Sequence, residues 1–228
     1  MALRTKTIAS LLLTIFTYTS APGLAGDEIL NGGDVVVCPR EVRTLDTVER
    51  QLLHKFPDHT SERVLRTVRS VRLEDAIGDV LEPLKSVHRK LHQCLTSYYE
   101  NRHFWQEVTF VDGSIFANVP DEVSYVVPKH CEKKQAALQF HEALYENKHR
   151  YLFDIEIWNQ MDDFEKSVLI IHEILLRNSI LNRTWNGDTR KVRHLTGLIT
   201  SGQIELISSS QLEKTLKSYN FSCKPYSQ

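Results

Sequence analysis

The stretch "SVLIIHEILLR", residues 167–177, sets two ionisable side chains inside an aliphatic run. At about 100° per residue, Val168, Leu169, Ile170, Ile171, Ile174, Leu175 and Leu176 point in every direction around a helix, the pattern of a helix covered on all sides. Such a helix sits at the centre of a fold, and His172 and Glu173 are then buried with it. An isolated carboxylate taken out of water costs several kcal/mol, so it is paired or it takes up a proton. Arg177 follows Glu173 by four residues, the spacing of an intrahelical ion pair, and Arg190 and Arg193 lie on the next expected helix. The expectation is an internal polar cluster of His172, Glu173, Arg177, Asp188, Arg190 and Arg193, with His172 as a neutral core imidazole.

Working outward, Asp162 and Asp163 suit the first turn of that helix. Trp158 reads as part of a connecting segment, and two more helices are expected at 188–200 and 210–219. Near the other end, Asn31-Gly32-Gly33 signals a turn, and the β-branched run Asp34 to Cys38 reads as a strand stopped by Pro39. Glu41 to Lys55 carries Val42, Leu45, Val48 and Leu52 at helical spacing. In 62–72, Val64, Leu65, Val68 and Val71 cluster on one side of a helix while Arg63, Arg66, Arg69 and Arg72 fan over the rest; the expectation is a solvated face with nearby acids, and the alternative a hold for an anionic partner such as a phosphorylated glycan or lipid head group. Leu84 to Tyr98 forms another apolar stripe, with Pro83 in the first turn. Then the period changes to two. Trp105 to Val111, Asp112-Gly113, and Ser114 to Val119 predict a hairpin with a tight turn at Asp112-Gly113. A third strand, Val123 to Val127, ends at Pro128, and from Cys131 the helical period returns through Ala137, Phe140 and Leu144. Helices outnumber grouped strands, so the expected fold is α+β, a mainly helical single domain with a small antiparallel sheet.

Residues 1–25 read as a signal peptide: Arg4 and Lys6, an apolar run from Ile8 to Phe16, and small residues at Gly23-Leu24-Ala25. The apolar run is shorter than the roughly 20 residues of a membrane span, so the mature part, 26–228, is expected to be exported with no transmembrane span. Its destination is the periplasm or the medium. Removing residues 1–25 takes away two of the 28 basic residues and none of the 29 acidic ones. That balance gives no sign of nucleic-acid binding. Cys38, Cys94, Cys131 and Cys223 all lie in the mature part, and four cysteines in an exported chain predict two disulfides with three possible connectivities.

His172-Glu173 also begins the helical zinc-hydrolase motif, in which a second histidine four residues on completes a metal-binding face. Leu176 stands there instead. A zinc site would need His194, His141, Asp188 or Glu142 from elsewhere, so the expectation is no cofactor, with zinc on His172, His194 and His141 as the alternative. A second His-Glu, His141-Glu142 in "QFHEALYENK", lies 31 residues earlier, and two antiparallel helices could set the pairs face to face. His88 and His92 are four apart, but Arg89 brings a cation where the zinc motif has its glutamate. There is no Gly-x-Ser-x-Gly and no phosphate-cradling glycine loop. Asn182-Arg183-Thr184 and Asn220-Phe221-Ser222 fit the glycan-acceptor pattern, which matters only in a eukaryotic secretory pathway.

The segments "NGGDVVVC", "VVPKHCEKKQAALQF", "IEIWNQMDDFEKSVLIIHEILLR" and "DTRKVRHLTGLITS" together resemble a group of uncharacterised exported proteins of Gram-negative bacteria. The resemblance spans most of residues 31–201. It implies that Cys38, Cys131, Gln135, His172, Glu173, Arg177, Asp188 and Arg193 are the positions of interest, and it implies no activity. The expected role is a binding or structural module of the bacterial envelope, its partner unknown. A degenerate zincin-like hydrolase using His172 as ligand and Glu173 as base is the alternative.

Overall fold

The computed structural model describes residues 29–31, 33–53, 72–116, 127–144, 149–182 and 189–226. The chain opens with strands β1 (Ile29–Asn31), β2 (Asp34–Cys38) and β3 (Glu41–Thr44), followed by helices α1 (Leu45–Leu53), α2 (Leu73–Val87), α3 (Arg89–Tyr99) and α4 (His103–Gln106). Strand β4 (Val108–Val111) comes next, then β5 (Glu132–Gln135), β6 (Ala137–Leu144) and β7 (His149–Asp154). Helices α5 (Ile155–Gln160), α6 (Asp163–Leu181), α7 (Arg190–Thr200) and α8 (Ser209–Ser218) complete it. The architecture is α+β, as the sequence predicts. Helix α6 is the "SVLIIHEILLR" helix, and all of its residues from Ser167 to Leu176 are buried. Asp162 caps it by accepting from the Glu165 N–H at 2.8 Å. Around it lie α2, α7, α3 and β6, and one apolar cluster runs from Val35 to Leu216.

Two small sheets flank this hub. One has the order β3-β2-β5, all antiparallel; the other has the order β1-β6-β7-β4, with β4 parallel to β7. They share a seam at Gly33, whose carbonyl accepts from the N–H groups of both Ala136 and Ala137. A Cβ on Gly33 would stand 2.0 Å from Leu169 Cδ1, so the missing side chain is what lets this backbone lie against α6.

Several elements differ from expectation. Glu41 to Thr44 is a strand, because Val42 pairs opposite Val37 across the two-residue turn Pro39-Arg40, and the helix starts only at Leu45. Pro83 lies inside α2 rather than in a first turn, and the break comes at His88, whose Nδ1 caps α3 by accepting from Leu91 N–H at 3.1 Å. His88 Nε2 meets Glu213 Oε1 at 2.7 Å. His88 and His92 therefore do not share one helical face. Trp158 belongs to the short helix α5, stacked on Phe153.

Among the described residues no hairpin forms at Asp112-Gly113, and 117–119 of its expected second strand lie outside them. β4 pairs with β7, Val108 opposite Tyr151, while Asp112 accepts from Ser114 N–H and starts a 3₁₀ turn over Gly113–Ile115. Gly113 does not adopt a positive φ; a Cβ there would fall 1.8 Å from Asp154 Oδ2. Close approach, not a left-handed turn, requires this glycine. Residues 132–144 are strands, not a helix. Gln135 to Phe140 are all buried, and a strand covered on both faces loses the alternation by which a strand is recognised. The arginines at 63, 66 and 69, Asp188, most of the expected third strand 123–127 and the whole signal segment 1–25 lie outside the described residues.

The disulfides are Cys38–Cys131 and Cys94–Cys223. The first adds a rung to the β2–β5 ladder, next to Val37 opposite Glu132; its Cα separation of 4.4 Å matches a non-hydrogen-bonded antiparallel pair. The second ties the C-terminal tail to α3. The tail is also held by Tyr98 Oη donating to the Lys224 carbonyl at 2.8 Å, Lys224 N–H donating to Asn178 Oδ1 at 2.7 Å, and Tyr226 N–H donating to Ser97 Oγ at 2.9 Å.

Candidate functional site

Helix α6 carries both residues of interest at its midpoint. His172 is 1% exposed and Glu173 0%. The His172 Nδ1–H donates to Asp46 Oδ1 at 2.9 Å, and Asp46, in the first turn of α1, is itself 2% exposed. Burial alone would pull the imidazole pKa down. The Asp46 carboxylate and its hydrogen bond, with Glu173 behind them, outweigh burial and the opposing Arg193 charge, so the pKa is raised and the pair tends toward an ion pair. His172 Nε2 and Asp46 Oδ2 are both buried without a hydrogen-bond partner.

Glu173 turns the other way. Its Oε1 accepts from the Gly33 N–H at 2.5 Å, and its Oε2 accepts from Gln139 Nε2 at 3.3 Å. Gln139 Nε2 also donates to the Glu173 carbonyl at 3.0 Å. Burial pushes the Glu173 carboxyl up to about 7; the His172 charge and the Gly33 N–H oppose this, while Asp46 and Asp34 reinforce it.

The expected arginine partners are engaged elsewhere. Arg177 Nη1 donates to Glu107 Oε2 in a close contact and to Tyr151 Oη at 3.4 Å, and its guanidinium lies over the rings of Tyr98 and Tyr226. A buried carboxylate at Glu107 draws the guanidinium away from the intrahelical pair, and a backbone N–H needing an acceptor draws Glu173 toward Gly33. Arg193 Nε donates to Glu49 Oε2 at 2.8 Å and its Nη1 to Thr189 Oγ1 at 2.5 Å. Arg190 opens α7 on an exposed face. The expected cluster is thus divided: His172 pairs with Asp46, Glu173 with Gly33 and Gln139, Arg177 with Glu107, and Arg193 with Glu49.

A third acid, Glu165, joins this seam. Its Oε2 accepts from Thr44 N–H and Thr44 Oγ1, each at 2.8 Å, and from Thr47 Oγ1 at 3.1 Å, while Arg43 approaches Oε1 at 3.4 Å. Burial raises its pKa against these bonds. Asp46, Thr47 and Glu49, all on α1, therefore bind α6 and α7 together. Sequence reasoning missed Asp46, Glu165, Glu107, Gln139 and Gly33. The available signal was an acid at the start of α1, hidden because 41–55 reads as one uninterrupted helix.

His141 and Glu142 lie on β6, so two His-Glu helices do not face each other. His194 shares a 2.9 Å hydrogen bond with Tyr219 Oη through its Nδ1. Among the described residues, no three His, Cys, Asp or Glu side chains gather as a metal site would require. Among them also, no helix is long and apolar enough to cross a membrane. Chemically, the arrangement can hold a proton between Asp46 and His172 and another on Glu173, both away from solvent. Compared with protein-family models, curated proteins and solved structures, the chain matches none.

Proposed function

We propose that the chain is an exported, disulfide-braced module of the bacterial envelope that binds or supports rather than catalyses, with His172 and Glu173 as parts of its internal frame. The carrying observation is that Asp46, His172 and Glu173 are at most 2% exposed and are bonded to α1, Gly33 and Gln139. A hydrolytic base must reach a substrate or its water, and Glu173 spends both oxygens on the protein. Export is supported by the two disulfides, which persist in oxidising compartments, by the signal-like start, and by the resemblance to exported proteins.

The test is to express the full chain in a Gram-negative host, fractionate the cells and trap thiols by alkylation. The expected product is shortened at its N-terminus, sits outside the cytoplasm and reacts with alkylating reagent only after reduction. Full-length cytoplasmic protein with four reactive thiols would overturn export. Elemental analysis of the same preparation addresses the hydrolase alternative: stoichiometric zinc that disappears in His172→Ala would replace the module reading with an enzyme.

A further inference from the structure

The C-terminal tail seats one ring, Tyr226, among four unlike groups. It stacks on His103, with centroids 4.5 Å apart and planes 9° from parallel, and meets Tyr98 edge to face at 5.6 Å. The Arg177 guanidinium lies over the ring at 5.3 Å, and the Tyr226 Oη donates to Glu107 Oε1 at 3.4 Å. Together these groups recognise a phenol: aromatic neighbours and a cation for the ring, and a buried carboxylate for its hydroxyl. Burial and the Glu107 charge hold the Tyr226 pKa above its ordinary value against Arg177, so the ring presents an O–H to that carboxylate.

The slot stands without its occupant. Arg177 is bonded to Glu107 and Tyr151, and Arg150 also donates to Glu107; none of these contacts involves the tail. Tyr226, by contrast, is lightly held. The Cys94–Cys223 disulfide pins the tail three residues upstream, Lys224 and Pro225 are exposed, and proline has no N–H to donate. The Tyr226 N–H bonds Ser97 Oγ at 2.9 Å, but its hydroxyl stops beyond the roughly 2.5–3.0 Å of an ordinary O–H···O bond. An untethered phenol is free to close that gap. Two nitrogens of the lining, Arg177 Nε and His103 Nδ1, are also sealed without a partner among the described residues, so the seated tail leaves the slot incompletely satisfied. We infer that this slot is a recognition site for a small phenol, a single ring bearing one hydroxyl, and that Lys224–Tyr226 is a hinged cover carrying a built-in competitor. The inference deepens the binding-module reading and rests on it for its biological setting.

The probes are p-cresol, the tyrosine side chain without its backbone, and 4-methylanisole, the same ring with its hydroxyl capped. Each is titrated by calorimetry into the mature, disulfide-bonded protein and into its Tyr226→Ala variant. p-Cresol is expected to bind Tyr226→Ala about tenfold or more tightly than it binds the parent, where the slot is mostly occupied. It is also expected to bind the variant about tenfold or more tightly than 4-methylanisole does, because the capped ring leaves the Glu107 carboxylate without a donor. In the parent, bound p-cresol unseats Tyr226, so the Tyr226 amide loses Ser97 and is expected to exchange with solvent about threefold or more faster by NMR. This second measurement needs no variant. Equal affinities of parent and variant, no preference for p-cresol over 4-methylanisole, or no binding to a folded Tyr226→Ala would each overturn the inference, as would binding to the parent that leaves the Tyr226 amide protected. An exported protein that fails these tests refutes the slot alone, whereas a cytoplasmic one that passes them refutes the envelope reading alone.

Discussion

Glu173 and Gly33 meet across 140 positions of chain, and each explains the other. The carboxylate accepts a backbone N–H that would be orphaned beside α6, and the glycine admits the approach. Glu173→Ala leaves that N–H without an acceptor and the Gln139 amide with only the residue 173 carbonyl, and is expected to lose about 2–4 kcal/mol in urea unfolding. Glu173→Gln keeps an acceptor oxygen and is expected to lose less than half as much; equal losses would show that packing, not hydrogen bonding, sets the cost. At Gly33 the added methyl of Gly33→Ala must displace Leu169 and crowd Glu173 Oε1, which would stand 3.2 Å away. The expected cost is about 1–3 kcal/mol. Combined with Leu169→Ala, it should fall well short of the sum of the two single losses, since the two side chains contest one space.

Among the elements, α6 was legible and β6 was not, for related reasons. Ser167 to Leu176 of α6 and Ala137 to Phe140 of β6 are all buried. A long apolar run of helical length has few other readings, so α6 follows from its residues alone. Ala137, Phe140 and Leu144 also fit a helical period, but β6 is defined by neighbours on either edge, β1 and β7, and pairing is not written in its own residues. Likewise the alternation in β4 is visible, while its parallel partner lies some 40 residues away. The candidate site shows the same division. That His172 and Glu173 would be buried could be read locally, but Asp46 comes from α1, Gln139 from β6 and Gly33 from the link before β2. The C-terminal tail is a further case, with a disulfide and hydrogen bonds to Tyr98, Ser97, Asn178 and Leu181 holding it to α3 and α6. Replacing Cys94 and Cys223 together by serine is expected to cost about 2–5 kcal/mol and to expose the tail to limited proteolysis, with cleavage C-terminal to α8; a protease-resistant tail would mean that the hydrogen bonds suffice.

For the molecule as a whole, Glu173, Glu165 and His172 act in one direction with pH. The folded chain holds the Glu173 proton up to about pH 7, against an ordinary value of 4.5. Its contribution to stability is complete below about 4.5 and lost as pH rises through 7. His172, also raised, contributes below its ordinary value of 6.5 and loses that contribution as pH climbs past its folded value. Glu165 has the same sign. Stability is therefore expected to fall between about pH 5 and pH 8, by roughly 3 kcal/mol from Glu173 alone, and Glu173→Gln should flatten the profile. A melting temperature that climbs over that interval would contradict the protonation states assigned to the core.

The two crosslinks interleave along the chain: the first cysteine joins the third, and the second joins the fourth. On the proposed export, a chain threading outward in order presents Cys38 and Cys94 to an oxidant before either true mate has emerged. An enzyme that couples thiols as they arrive makes the wrong bond, which a second enzyme must reshuffle. Cells lacking a disulfide isomerase should accumulate the Cys38–Cys94 species, visible as an altered band on non-reducing gels, whereas a consecutively bridged protein of this size would mature without that help.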